Sequence, residues 1–275
     1  MSQLDTIVSA VALSKKHRTL CEDTIRRVAD RELAAVASGN VKAAIKATKQ
    51  RLHQVYGAFE HGLDYEAAYR RLEAAYRDHS GTEIEVACRQ VLGMHQSTRE
   101  RLSILGRFYP AIWEVTGKPR SVLDVGCGLN PVALPWMGLE TGCGYVALDI
   151  DRERAGFLNR VLSLAGMAPL ARCQDVLVHP PDDPADVALL LKMSPTLERQ
   201  EPGATGRLIE RLRTPFAVVS FAITSLGGRD KGMVEHYQRQ FLELAGDQGW
   251  QVVRLAVETE LVFVVKLERR TGGCP

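Results

Sequence analysis

Several features that would each have pointed to a class of protein are missing from this sequence. None of its 275 residues falls in a run of the roughly 18 consecutive apolar residues that a membrane-spanning helix requires, so no membrane partner is expected. Its six cysteines (Cys21, Cys88, Cys127, Cys143, Cys173 and Cys274) are scattered and form no CxxC pair. That pattern fits a reduced cytosolic protein without a structural zinc, and no metal is expected. The opening MSQLDTIVSAVALSKKHR places Lys and Arg after its apolar part, the reverse of a secretory signal, and the expected location is the cytoplasm. There is no internal repeat and no low-complexity segment.

Net charge is also nearly absent, at +2, but it is unevenly spread. Residues 1–55 carry ten Lys or Arg against five Asp or Glu, residues 56–119 eight against nine, and residues 120–275 seventeen against nineteen. An anionic partner would therefore be met by the N-terminal end; the competing reading is a solvated helical face.

Apolar spacing of three and four residues predicts helices over 22–37, 41–58, 64–78, 83–94 and 98–115. In the second of these, Val41, Ile45, Leu52, Val55 and Phe59 form a candidate buried stripe, which leaves Lys42, Lys46, Lys49 and Arg51 mostly off it. With Lys15, Lys16 and Arg18 they form a candidate basic surface. The helical pattern stops at Thr116-Gly117-Lys118-Pro119. Short runs rich in Val, Leu and Phe follow, alternating with helical stretches: SVLDV, YVALDID, DVALLLK, FAVVSF, QVVRLAV and LVFVVKL. Such alternation predicts an α/β fold, a doubly wound and mostly parallel sheet. Only Glu258-Thr259-Glu260 separates the last two runs, which predicts an antiparallel hairpin at one edge.

The first strand ends in SVLDVGCGLNP, residues 121–131, where a dinucleotide-binding loop would have a third glycine and this loop has Asn130-Pro131. In an open parallel sheet the ligand sits at the carboxyl ends of the strands, where strand order switches. Asp149 closes the next strand and is a candidate for both ribose hydroxyls, with Asp151 competing. Asp175, after a third extended run, is a candidate for the exocyclic amine of adenine. Together these positions favour the S-adenosylmethionine pattern of Rossmann-like class I methyltransferases over NAD: the ligand has no phosphate, so the third glycine is dispensable. Its carboxylate needs a cation, for which Arg101 in STRER (97–101) is the candidate and Arg99 the weaker one. Ser97 and Glu100 read as a capping box at the same place, and His95 as packing or cofactor lining.

The residues after the fourth strand usually carry the chemistry. DVALLLKMSPTLERQ (186–200) lacks both the Asn/Asp-Pro-Pro-aromatic box of exocyclic-amine methylation and a nucleophilic cysteine. A ring nitrogen such as guanine N7 needs neither, because its in-plane lone pair is free to attack once the base is held in line. The product base is cationic, and Glu198 and Glu260 are candidate carboxylates to stabilise it. SLGGRDKGM (225–233) carries Arg229 and Lys231 on a glycine-rich loop suited to phosphate contact.

YGAF (56–59), HQSTRERL (95–102), DVGCGLNPVALPWMGL (124–139), ALDID (147–151), ADVALLLKMSPTLERQ (185–200) and SLGGRDKGM (225–233) closely resemble, in order and approximate spacing, the 16S rRNA guanine-N7 methyltransferases of aminoglycoside producers and resistant pathogens. The resemblance covers about residues 10–267 and rests most heavily on CGLNP-x-x-x-PWMGL. It implies methyl transfer from S-adenosylmethionine to N7 of guanine 1405 within the assembled 30S subunit, with resistance to kanamycin- and gentamicin-type aminoglycosides, by a monomer; an RNA methyltransferase for another decoding-site base, such as the neighbouring adenine, is the alternative. It implies a cofactor site of Phe59, His95, Gln96, Ser97, Arg101, Gly126, Asp149, Asp175, Val176, Leu191 and Gln200. It places Lys192, Glu198, Arg229 and Lys231 around the target base and RNA. It also implies an all-α ribosome-docking domain over 1–96, presenting Lys16, Arg18, Lys46, Lys49 and Arg51, followed by a methyltransferase domain over 97–275. The eight residues GAFEHGLD (57–64) lack a proline-rich insertion that some members have, and TGGCP at the C-terminus has no counterpart.

Overall fold

The structure, a computed structural model, describes residues 2–36, 39–56, 63–77, 81–223 and 231–267, except for the side chains of 231–234 and 256. The helices α1 (Gln3–Ala12), α2 (Glu22–Ala35), α3 (Val41–Tyr56), α4 (Tyr65–Arg77) and α5 (Gly81–Leu92) come first. No helix is expected from the sequence before residue 22, yet α1 forms there. Ser2 and Asp5 close a reciprocal capping box at its start, and Ile7, Val8 and Val11 are its buried side.

The single helix expected over 98–115 is instead two, α6 (Gln96–Arg99) and α7 (Leu105–Thr116). Between them the backbone tightens to three-residue bonds, Arg101 N to Thr98 O at 3.1 Å and Ile104 N to Arg101 O at 3.0 Å. Thr98 Oγ1 ties this bend back to the end of α5, donating to Leu92 O at 2.6 Å. The expected capping box of Ser97 and Glu100 does not form. His95 is the N-cap residue, Ser97 Oγ pairs with His95 Nδ1 at 2.8 Å, and the Glu100 carboxylate is drawn to Lys192.

The remaining elements alternate: β1 (Ser121–Val125), α8 (Leu134–Met137), β2 (Gly144–Asp149), α9 (Arg152–Leu164), β3 (Leu170–Cys173), β4 (Val187–Leu191), α10 (Ser194–Gln200), α11 (Ala204–Arg211), β5 (Phe216–Ala222), α12 (Lys231–Asp247), β6 (Gln251–Ala256) and β7 (Glu260–Lys266). The strands form one sheet in the order β3-β2-β1-β4-β5-β7-β6, parallel from β3 to β5. β7 runs antiparallel between β5 and β6, so the expected hairpin forms with β6 outermost.

Successive strand residues feed opposite faces. Val122, Tyr145, Leu189 and Val218 join α4, α5, α7 and α9 in one core, whereas Leu123, Leu148, Leu190 and Val219 join α10, α11 and α12 in the other. A third core belongs to α1, α2 and α3 and contains Ile7, Ile25, Leu52 and Val55. Within α3 the fully buried line is Ala44, Thr48, Leu52, Val55 and Tyr56, while Val41 and Ile45 pack at its margin. The packed cores thus divide after Tyr56, because α4 and α5 lie on the sheet. The α1–α3 unit is stitched to the sheet by backbone: Cys21 N donates to Ile150 O and Arg152 N to Thr19 O, each at 2.7 Å.

Candidate functional site

A cavity opens at the carboxyl ends of β1, β2, β3 and β4, across the β1/β4 junction where strand order reverses. Its floor is the glycine loop. Gly126 and Gly128 have φ of +64° and +54°, left-handed values that disfavour side chains. A Cβ on Gly126 would lie 2.6 Å from the Met193 sulfur, so the loop backbone and the turn after β4 are in close contact. The loop does not present its amides as a phosphate cradle: Gly128 N donates to Asp149 Oδ2 at 3.0 Å and Cys127 N to Leu148 O at 2.9 Å.

Asp149 and Asp175 both line the cavity and are buried. Asp151 also lines the cavity and is the N-cap of α9, its Oδ1 accepting Arg154 N at 2.8 Å. Arg154, absent from the residues expected at the site, also lines the cavity. Its Nη1 straddles both Asp149 oxygens at 3.0 and 3.1 Å. Its signal in the sequence is the i, i+5 distance from Asp149 across the first turn of α9. Val176, Leu191 and Gln200 complete this side, with His95, Ser97 and Gly126 opposite. Apolar Leu148, Ile150 and Leu197 provide flat contact area between two carboxylates. That combination suits a nucleoside with an amino acid attached: acceptors for hydroxyls and an amine, apolar walls for a ring, and lining cations, Arg154 and Lys192, already paired with protein carboxylates.

Arg101 is not on that cavity wall. It is 3% exposed, its Nε and Nη2 donate to the two oxygens of Glu260 at 2.7 and 3.0 Å, and its Nη1 donates to Asn130 Oδ1 at 2.9 Å. The clamp expected for a cofactor carboxylate is closed on a protein carboxylate, because the bend after α6 turns Arg101 inward over Phe108. Glu260 is correspondingly 0% exposed, and is held below the usual carboxylate range because Arg101 and Lys192 outweigh its burial. It is the anion of a buried network and is not exposed to a target base. Lys192 does line the cavity, but its Nζ is engaged by Ser97 O at 2.8 Å, Glu100 Oε2 at 2.7 Å and Glu260 Oε1 at 3.2 Å. Its φ of +59° is the one positive value among described non-glycine residues, a strained backbone fixed by bonds from its N to Ser220 O and Oγ.

Asn130 is the hub beneath the loop. Its Oδ1 accepts from Arg101 and from Tyr109 Oη, and its Nδ2 donates to Asp124 Oδ2 at 2.9 Å. Tyr145 Oη donates to the same Asp124 oxygen at 2.7 Å. Burial pushes the Asp124 carboxyl up to about 6, against the bonds from Tyr145 and Asn130. The rest of the NPVALPWMGL signature is architectural: a 3-10 turn over Asn130–Ala133 opens with Pro131, and α8 stops at Gly138 in the left-handed conformation.

Glu198 and Gln96 also stand apart from the cavity. Glu198 accepts Gly203 N at 2.6 Å and Thr205 N at 2.8 Å, closing the start of α11. Gln96 Nε2 reaches Glu100 Oε1 at 3.4 Å. Lys16, Arg18 and Lys46 are exposed, and Lys49 is half-buried. Arg51 donates to Arg199 O at 3.1 Å and so ties α3 to α10. Phe59 and Arg229 lie outside the described residues, as does the side chain of Lys231. Among the described residues no group of three or more His, Cys, Asp or Glu converges as a metal site, and no helix is long and apolar enough to cross a membrane.

The profile of the ribosomal RNA methyltransferase (FmrO) family matches residues 13–264. A 16S rRNA (guanine(1405)-N(7))-methyltransferase of Micromonospora echinospora is 38% identical over 266 residues, 96% of this chain and 97% of that one. The enzyme of the same name from Serratia marcescens is 32% identical over 277 residues, 96% and 98% of the two chains. Among solved structures, the 16S rRNA methyltransferase RmtF in complex with S-adenosyl-L-homocysteine superposes with a TM-score of 0.81 at 32% identity, covering 97% of this chain and 98% of that one.

Proposed function

Because this chain belongs to the ribosomal RNA methyltransferase (FmrO) family, we propose that it transfers the methyl group of S-adenosylmethionine to N7 of guanine 1405 in 16S rRNA. The observation that carries the reading is the phosphate-averse cavity at the strand-order reversal, with Asp149 and Asp175 on its wall. S-adenosylmethionine, when bound, supplies an electrophilic methyl on a sulfonium. Asp149 is placed to accept from the ribose hydroxyls, sharing its oxygens with Arg154, and Asp175 from the adenine amine. The apolar faces of Leu148, Val176 and Leu191 take the flat sides of the ligand and exclude water.

The chain does not have to remove a proton from its target. Guanine N7 offers a lone pair, and holding it in line supplies most of the catalysis. Lys192, beside the cavity and already neutralised by Glu100 and Glu260, fixes the turn after β4 that borders the methyl-transfer end. Within the helical region 1–96, the α1–α3 unit docks on the 30S subunit through its exposed cations, while α4 and α5 belong with the sheet of residues 97–275 that carries the transfer. The enzyme acts as a monomer in the cytoplasm, and its product ribosome resists kanamycin- and gentamicin-type aminoglycosides. Incubation of unmethylated 30S subunits with the protein and S-adenosylmethionine, followed by mass mapping of 16S rRNA, should give one added methyl at N7 of guanine 1405. A methyl on the neighbouring adenine instead would overturn the assignment.

A further inference from the structure

One wall of the cavity is held from outside the sheet. Arg27, on α2, donates through Nε and Nη2 to Asp175 Oδ2 at 3.1 and 2.9 Å, and through Nη2 to Gln200 Oε1 at 2.7 Å. Tyr56, the last residue of α3, gives its hydroxyl to the same Gln200 Oε1 at 2.7 Å. Arg31, one turn further along α2, donates to Gln200 O at 2.6 Å. Gln200 Nε2 is committed to Thr196 O at 3.1 Å, so the amide has one orientation. Arg27 does not itself line the cavity.

These bonds decide what the wall can recognise. Asp175 is 2% exposed, and two guanidinium donors hold its Oδ2. With Oδ2 held by the guanidinium, Oδ1 is the oxygen left to accept from a ligand. Asp175 Oδ1 accepts one backbone bond, from Leu177 N at 2.9 Å, which leaves it a second lone pair. An acceptor-only carboxylate selects a purine with an amino group at C6 and repels one with a carbonyl there. A carboxyl group no longer held by Arg27 would be free to turn and would lose that distinction.

We propose that Arg27 is a positioning residue for base specificity: from the docking helices it fixes the Asp175 carboxylate as an acceptor and so makes the cofactor site selective for a 6-amino purine. The proposal rests on the reading that Asp175 meets the adenine amine.

The experiment is calorimetry of the full chain with S-adenosylhomocysteine and with S-inosylhomocysteine, which carries a 6-oxo group. The wild type should prefer the adenosyl ligand by about 100-fold, the scale on which sites built for one hydrogen-bonding pattern reject another. Arg27→Met should weaken the adenosyl ligand by roughly tenfold and bring the preference below about tenfold. Arg27→Lys, which restores a cation, should recover most of the preference. In an Asp175→Asn background, Arg27→Met should leave the ratio unmoved, since the path through Asp175 is already cut. A general loosening of the fold would lower both affinities and keep their ratio, and that result in Arg27→Met would overturn the proposal. Should Arg27→Met not fold, Arg27→Gln carries the test, and an unchanged ratio in it overturns the proposal equally. Equal binding of the two ligands by the wild type would instead remove the adenine reading, and the proposal with it.

Discussion

Two clusters of charged side chains lie on opposite sides of the glycine loop, and they differ in what satisfies them. Below the loop, Arg101, Glu260, Asn130, Asp124, Tyr109 and Tyr145 bond almost entirely to one another, and none is more than 3% exposed. Above it, Asp149, Asp175 and Gln200 bond partly to Arg154 and Arg27 and also face a cavity. The same residue types therefore do two jobs. A buried pair such as Arg101–Glu260 fixes where β7 and the bend after α6 meet, and contributes to uniqueness more than to net stability. A carboxylate that borders a cavity can share or exchange its protein donors with a ligand.

Cutting the lower cluster should give the largest effect. Glu260→Ala leaves Arg101 buried without its anion, and unfolding in urea should show a loss of about 3–5 kcal/mol. A loss under about 1 kcal/mol would mean that water or Asp124 takes over the pairing. Next comes a pH effect in the same cluster. The folded Asp124 carboxyl titrates at about 6 against an ordinary 3.8, so folding favours its protonated form. Its contribution is fully present below about pH 4 and is lost as pH rises through about 6, on the order of 3 kcal/mol. Asp124→Asn should remove that slope from the pH dependence of stability between about 4 and 6, and an unchanged slope would show the carboxyl to be ordinary.

The upper cluster should respond in binding more than in stability. Asp149→Asn should weaken S-adenosylhomocysteine by about tenfold to 100-fold, about 1.4–2.7 kcal/mol, in calorimetry. Its thermal midpoint should fall by less than that of Glu260→Ala, and the reverse order would erase the distinction between the clusters. The smallest effect on the fold is expected at the surface. Lys46→Glu with Lys49→Glu should change stability by no more than about 0.5 kcal/mol. It should nonetheless weaken 30S binding and flatten its salt dependence; an unchanged salt slope would make these lysines mere solvation.

The strands are legible in the sequence because each apolar run is short, rich in branched residues and bounded by glycine or charge, and every expected run is a strand of the sheet. Asp149 is legible as a cavity residue for the same reason, since it is the last residue of β2, and Asp175 follows two residues after β3 ends. Arg101 is not. Its position next to a cavity can be inferred from HQSTRERL, but its partner Glu260 lies 159 residues away, and no local pattern reveals which way the side chain turns. The capping box fails in the same way, as Lys192 draws Glu100 off the helix start from 92 residues away. Arg27 and Arg154 are hidden because an arginine in an amphipathic helix reads as surface until its carboxylate partner is known.

The place of β7 has a consequence for the order of events during synthesis. It is the last strand among the described residues, yet it lies inside the sheet between β5 and β6, and it delivers Glu260 to a guanidinium made 159 residues earlier. Until about residue 266 has emerged, Arg101 has no anion, β5 has an open edge, and the glycine loop has no fixed support beneath it. The α1–α3 unit can collapse on its own core early, but the floor of the cofactor cavity sets only after β7 has emerged. Contacts of such sequence separation slow folding, and a partly synthesised chain exposes that β5 edge to other strands. A C-terminal truncation short of β7 is thus expected to cost folding itself rather than one activity.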